Sequence, residues 1–130
     1  MSGRDRGAVE FVGMLPLVLT TVLLVWEAFL IGMAMTYSAH AANEGARVAA
    51  VGGGPRAVRD GAVERVYGTW ADERNIRVRY PTGAACDDDG PRDPDCGYVR
   101  VSIRPPAVFP GLLLPATVSA RTRIVDEDAP

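Results

Sequence analysis

The side chains best equipped for chemistry in this chain are few: one histidine, two cysteines and a handful of crowded acids. His40 has no cysteine, serine or second metal-ligating residue at a useful spacing, so it has neither a nucleophile to activate nor a site to complete. Cys86 and Cys96 bracket the stretch CDDDGPRDPDC, in which five aspartates share a loop containing Pro and Gly. Those acids could attract calcium, but they lack the alternating spacing and the closing Glu of an EF-hand loop. Two cysteines with no histidine near them cannot complete a zinc site. In an exported domain they should form a disulfide across a short loop, worth roughly 2–3 kcal/mol. Gly52, Gly53 and Gly54 follow a helical stretch instead of a strand, so they read as a helix terminator and not as a phosphate cradle. The expectation is a chain with no catalytic residue, no metal and no cofactor.

Two carboxylates occupy stranger positions. From Phe11 to Trp26 the sequence runs sixteen residues without a charge, and after Glu27 it is uncharged again to Ala39. At 1.5 Å per residue, positions 11–37 make a helix of roughly 40 Å, longer than the ~30 Å hydrocarbon layer. Glu10 stands at the entrance of this segment and Glu27 inside it. A helix-start acid meets the positive end of the macrodipole, worth about 0.3–1 kcal/mol, and that alone could explain Glu10. Glu27 is costlier, since a central acid opposes insertion by about 2.5–3.5 kcal/mol unless it is neutral, paired, near the interface or facing another helix. Gly13, Gly32 and Ala34 would allow close helix approach. Pro16 predicts a kink or a locally unwound turn.

Arg4 and Arg6 precede the segment and the next arginine is Arg47, which favours an N-terminus in the cytoplasm and a C-terminal part outside it. The rival is a cleaved secretory signal ending near Ser38-Ala39-His40-Ala41, although signal cores are about 7–15 residues long. The chain carries a net charge of −2, and all 14 of its basic residues are arginine, which gives no basic footprint for nucleic acid.

With 130 residues there is room for one membrane helix and one small domain. The division expected is a cytoplasmic leader over 1–7, a membrane helix with its outward extension over 8–51, and an α+β domain over 55–130. A second helix is predicted from Pro55 to about Trp70, with Val58, Ala62, Val63, Val66, Tyr67 and Trp70 on its core face. NIRVRY, YVRVSIR and TVSARTRIV alternate apolar residues with arginine, which predicts a three-stranded antiparallel sheet, or four strands in the alternative. That sheet should be covered on one face by the second helix and present arginines on the other. RPPAVFPGLLLPA, over 104–116, reads as an irregular connection packed on the domain or touching the membrane or a partner, and DEDAP reads as a polar tail.

The order of several short pieces resembles a known family. Arg6-Gly7, Val9-Glu10-Phe11, Leu15-Pro16, the long apolar helix and then Ala41-Ala42-Asn43-Glu44-Gly45-Ala46-Arg47 are similar to the TadE/TadF minor pilins (pseudopilins) of the tight-adherence, or Flp-type, pilus. The resemblance covers about residues 4–54. It implies a structural protein held in the membrane, whose helix packs with other pilin subunits through Glu10, Pro16 and Glu27. It also implies an inner-membrane assembly platform and a prepilin peptidase as partners. Cutting between Gly7 and Ala8 would make Glu10 the third residue of the mature chain, whereas pilins commonly place this acid fifth. An uncleaved chain is the alternative. The rival function is a single-pass envelope protein with a small partner-binding domain.

Overall fold

A computed structural model describes residues 3–105 and 117–125, so the apolar stretch within 106–116 and the DEDAP tail lie outside the described residues. Helix α1 runs from Gly3 to Ala50. It is followed by α2 (Pro55–Val63), β1 (Ile76–Arg79), β2 (Tyr98–Ile103) and β3 (Val118–Arg123), with 3₁₀ turns at Gly68–Ala71 and Gly83–Ala85. The fold is α+β, with one helix long and apolar enough to cross a membrane.

Helix α1 stays α-helical through Pro16, so the unwound turn expected there is absent. Proline removes one helical N–H, but a single missing bond in 48 residues does not break the segment. The helix stops where the glycines begin. Gly53 N–H reaches back to the Val48 carbonyl at 2.9 Å and Gly52 N–H to Ala49 at 3.0 Å. This Schellman arrangement needs a left-handed residue, which Gly52 supplies at φ 87°.

Helix α2 starts with proline at its first turn and ends at Val63, well short of Trp70. Its exit is tightened by i to i−3 bonds, Arg65 to Ala62 and Val66 to Val63. Gly68, at φ 66°, then redirects the chain. Tyr67 consequently points outward at 71% exposure, against its expected place in the core. Trp70 folds back to lie 5.7 Å from the Tyr37 ring.

The sheet has the order β1-β2-β3, antiparallel throughout. Val99, Val101 and Ile103 of β2 are fully buried, with Ile76 and Val118 beside them. What covers this face differs from expectation. The upper half of α1 packs on β2 and β3, while α2 packs mainly on α1 and meets the sheet chiefly at β1. A nine-residue α2 is too short to roof three strands, so the membrane-type helix takes over that role.

Candidate assembly helix and its junction with the sheet

The exposure pattern divides α1 in two. Every residue from 3 to 26 is exposed, and burial begins abruptly at Glu27. Above it Ala34, Ser38, Ala41, Ala42, Gly45, Ala46 and Ala49 form one buried stripe. Residues 8–26 span about 28 Å at helical rise, which matches the hydrocarbon thickness of about 30 Å. The surplus length read from 11–37 therefore belongs to the domain. In the exposed half, the Thr20 and Thr21 hydroxyls donate to the carbonyls of Pro16 and Leu17 at 2.8 and 2.9 Å, which satisfies them without water. The Trp26 and Phe29 rings lie 5.8 Å apart, tilted by 32°, at the changeover, where an amphipathic tryptophan suits a membrane boundary.

The sequence-derived site residues on α1 fall into three separate places. Gly7, Ala8, Glu10 and Pro16 lie on the exposed half, with Gly7 and Ala8 inside continuous helix. Glu27 is only 6% exposed, at the changeover and not in the middle of the exposed span. It is about 26 Å along the axis from Glu10, so the two carboxylates act at different levels. Glu44, Gly45, Ala46 and Arg47 lie far up the helix, against the sheet.

That last group is a packing device. A Cβ on Gly45 would fall 2.9 Å from Val99 Cγ1 and 3.4 Å from Val58 Cγ1, so this crossing of helix, α2 and strand requires glycine. Val48 fills the complementary space, since a Cβ on Gly61 would meet its Cγ2 at 2.9 Å. Beside this contact, Arg47 donates to Glu44 at 2.6 Å and Arg65 approaches the same carboxylate at 3.4 Å. The Arg47 hydrogen bond foremost holds the Glu44 carboxyl below its usual range, against the opposing effect of burial. Asn43 accepts a hydrogen bond from Thr122 at 2.9 Å, tying α1 to β3. Tyr37, His40, Asn43, Glu44, Arg65 and Tyr67 border a cleft of about 420 Å³, so His40 does gain polar neighbours that sequence spacing did not reveal.

A second centre escaped the sequence reading. Asp95, at 1% exposure, receives two hydrogen bonds from Arg100, at 2.9 and 2.8 Å. Arg79 and Arg121 each approach it to 3.7 Å. These arginines are register partners across the sheet, Arg79 opposite Arg100 and Arg100 opposite Arg121. Like charges in that arrangement repel, and Asp95 is the group that makes the row tolerable. Hydrogen bonding from Arg100 is the largest reason its carboxyl stays below the usual range; burial opposes it, and attraction from all three arginines reinforces it. Asp93 pairs with Arg79, and Cys86 and Cys96 are joined with their Cα atoms 5.6 Å apart. Two of the five loop acids are thus engaged with the sheet, and Asp88 lies 3.6 Å from Arg92. The signal was present as arginines alternating along three strands, but the strand register that aligns them was not.

The family model for TadE-like proteins matches residues 7–47. The matched segment, about a third of the chain, is similar to TadE-like proteins. The match spans the lipid-length half of α1, the changeover at Glu27 and the Glu44–Arg47 junction. It supports a membrane-anchored protein related to the Tad pilus system, of a structural kind. No curated protein and no solved structure matches the chain.

Proposed function

We propose that the protein is a TadE-like minor pilin. The α1 helix holds it in the cytoplasmic membrane with the N-terminus inside, and the sheet domain stands outside. The carrying observation is the coincidence of the TadE-like match with a helix that is exposed and lipid-length over 8–26 and buried along one face from Glu27 onward. Such a helix can exchange lipid for neighbouring helices while the domain remains folded on its upper half. Apolar side chains from Val9 to Phe29 form the surface available for that exchange.

In this reading residues 1–7 are a leader, and a prepilin peptidase cuts between Gly7 and Ala8. Since that bond lies inside α1, the first two turns must unwind to enter a protease cleft, and glycine lowers the barrier to doing so. Glu10 then contacts a neighbouring subunit's helix start. Pro16 leaves the Val12 carbonyl without its helical donor, which offers a polar contact within the apolar stretch. The other partners are the inner-membrane platform and further pilin subunits.

Mass spectrometry of the native N-terminus tests processing, with Ala8 as the expected first residue and Met1 or Ser2 as the contrary result. Glu10→Ala should insert normally and abolish piliation. Normal pili in that variant would favour the envelope partner-binding protein instead.

A further inference from the structure

The outer face of the sheet carries Arg77, Arg79, Arg100, Arg121 and Arg123; among the described residues Asp93 and Asp95 pair with it, and Glu73, bonded to Arg59, borders its β1 edge. Arg77 and Arg123 flank the Asp95-centred row and make no ion pair with any described residue. The same chain presents the opposite charge on the exposed tip Asp87-Asp88-Asp89, with the Asp88 side chain 96% accessible. Asp93 and Asp95 tie the base of the disulfide-closed loop to the arginine face, whereas none of Asp87, Asp88 and Asp89 pairs with an arginine of that face among the described residues.

We infer that the arginine face of one copy receives the Asp87–Asp89 tip of a second copy, making a lateral head-to-tail contact. The occupant is a second copy because the chain supplies both halves of the charge complement, and because the geometry of anchoring fits. Copies fixed in one membrane share an orientation and a height, so two surfaces can meet only if they stand at the same level. These do. The loop that carries the acids is bonded at its base to the arginine row, and it borders the end of α1 at Ala49–Gly52, farthest from the exposed half. The two surfaces are different patches, so the contact is heterologous: each copy retains a free face and a free tip, and the association can continue along a row. This inference requires a membrane anchor but not processing, and it holds whether or not the protein enters a fibre.

The test uses the full chain in detergent micelles, followed by sedimentation velocity at low and high salt. Self-association should weaken at least about 10-fold between 50 and 500 mM salt, because the contact is between exposed charges. Asp87→Arg/Asp88→Arg/Asp89→Arg and, separately, Arg77→Glu/Arg123→Glu should each be monomeric under conditions where the parent associates. Both variants leave Asp95 and its three arginines untouched, and unchanged thermal melts establish that they fold. Mixing the two should restore association, since the reversed tip of one now fits the reversed face of the other. Association that is insensitive to salt and to both reversals would assign self-contact to the helix and overturn the inference. A parent chain that stays monomeric, or a mixture of folded variants that fails to associate, would overturn it equally.

Discussion

Gly45 offers the sharpest quantitative test of how α1 meets the sheet. Replacing glycine by alanine inside a helix normally stabilises it by about 1 kcal/mol, because glycine loses more backbone freedom on folding. At Gly45 the new methyl would sit 2.9 Å from Val99 Cγ1, with Val58 and Ala62 closing the other sides at 3.4 and 3.6 Å. Val99 and Val58 are fully buried, so neither can swing into solvent, and overpacking of this kind costs about 1–3 kcal/mol. The two effects oppose, and the clash should win by about 1 kcal/mol. Gly32→Ala is the matched control, since it lies on the same helix with nothing within 4 Å of its Cβ position. That variant should be neutral or more stable. The assay is chemical denaturation of the full chain in micelles, read from Trp70 fluorescence in a Trp26→Phe background. Adding Val99→Ala removes the clashing methyl, so the Gly45→Ala penalty should shrink in that background, with a favourable coupling of about 1 kcal/mol. If Gly45→Ala stabilises as much as Gly32→Ala does, or shows no coupling to Val99, the close crossing of helix and strand is wrong.

Asp95→Asn should destabilise the domain by about 2 kcal/mol, which is the scale of a charged hydrogen-bonded group reduced because its arginines are partly exposed. The folded-state pKa of Asp95 is depressed, so its contribution is complete at neutral pH and is lost as pH falls below the usual carboxylate range toward the folded value. Acid denaturation curves should therefore be shallower in the variant than in the parent, and identical acid limbs would count against the Asp95 hub. Trp26, observed in a Trp70→Phe background in bilayers, should be quenched best by bromines placed shallowly on the lipid chains. Strongest quenching from deep positions would move the membrane boundary away from Glu27.

Much of the fold was legible because its signals are local. Sixteen uncharged residues after Glu10 announce the membrane helix, and the period-two arginines announce three strands. What could not be read depended on contacts between distant segments. Helix length alone could not tell that one face of α1 becomes buried from Glu27 onward, because Ala34 to Ala49 are as compatible with a bilayer as with a protein core. The strip of alanines and the glycine make sense only once Val99 is known to lie against Gly45. Tyr67 leaves the core face that helical periodicity predicts because i to i−3 bonding after Val63 and the left-handed Gly68 break the phase. Asp95 sat unnoticed among four other loop acids, since nothing local distinguishes the one that strand register places beneath three arginines.

The division of α1 also changes what Glu27 is. In a continuous membrane helix it would be a charge opposing insertion. In the proposed anchoring it stands at the first buried position, beyond the lipid-length half, so protein and not hydrocarbon covers it. A helix that must leave the bilayer without unfolding its domain needs such a boundary. Below it the side chains can trade lipid for other helices at little cost, because both are apolar. Above it the Gly45 crossing and the Glu44–Arg47–Arg65 cluster keep the sheet fixed to the helix during the exchange. The assembly contacts proposed at Glu10 and the domain contacts made at Asp95 can then be altered independently. Loss of one should leave the other intact, which is the behaviour expected of a rigid lever joining two separate interfaces.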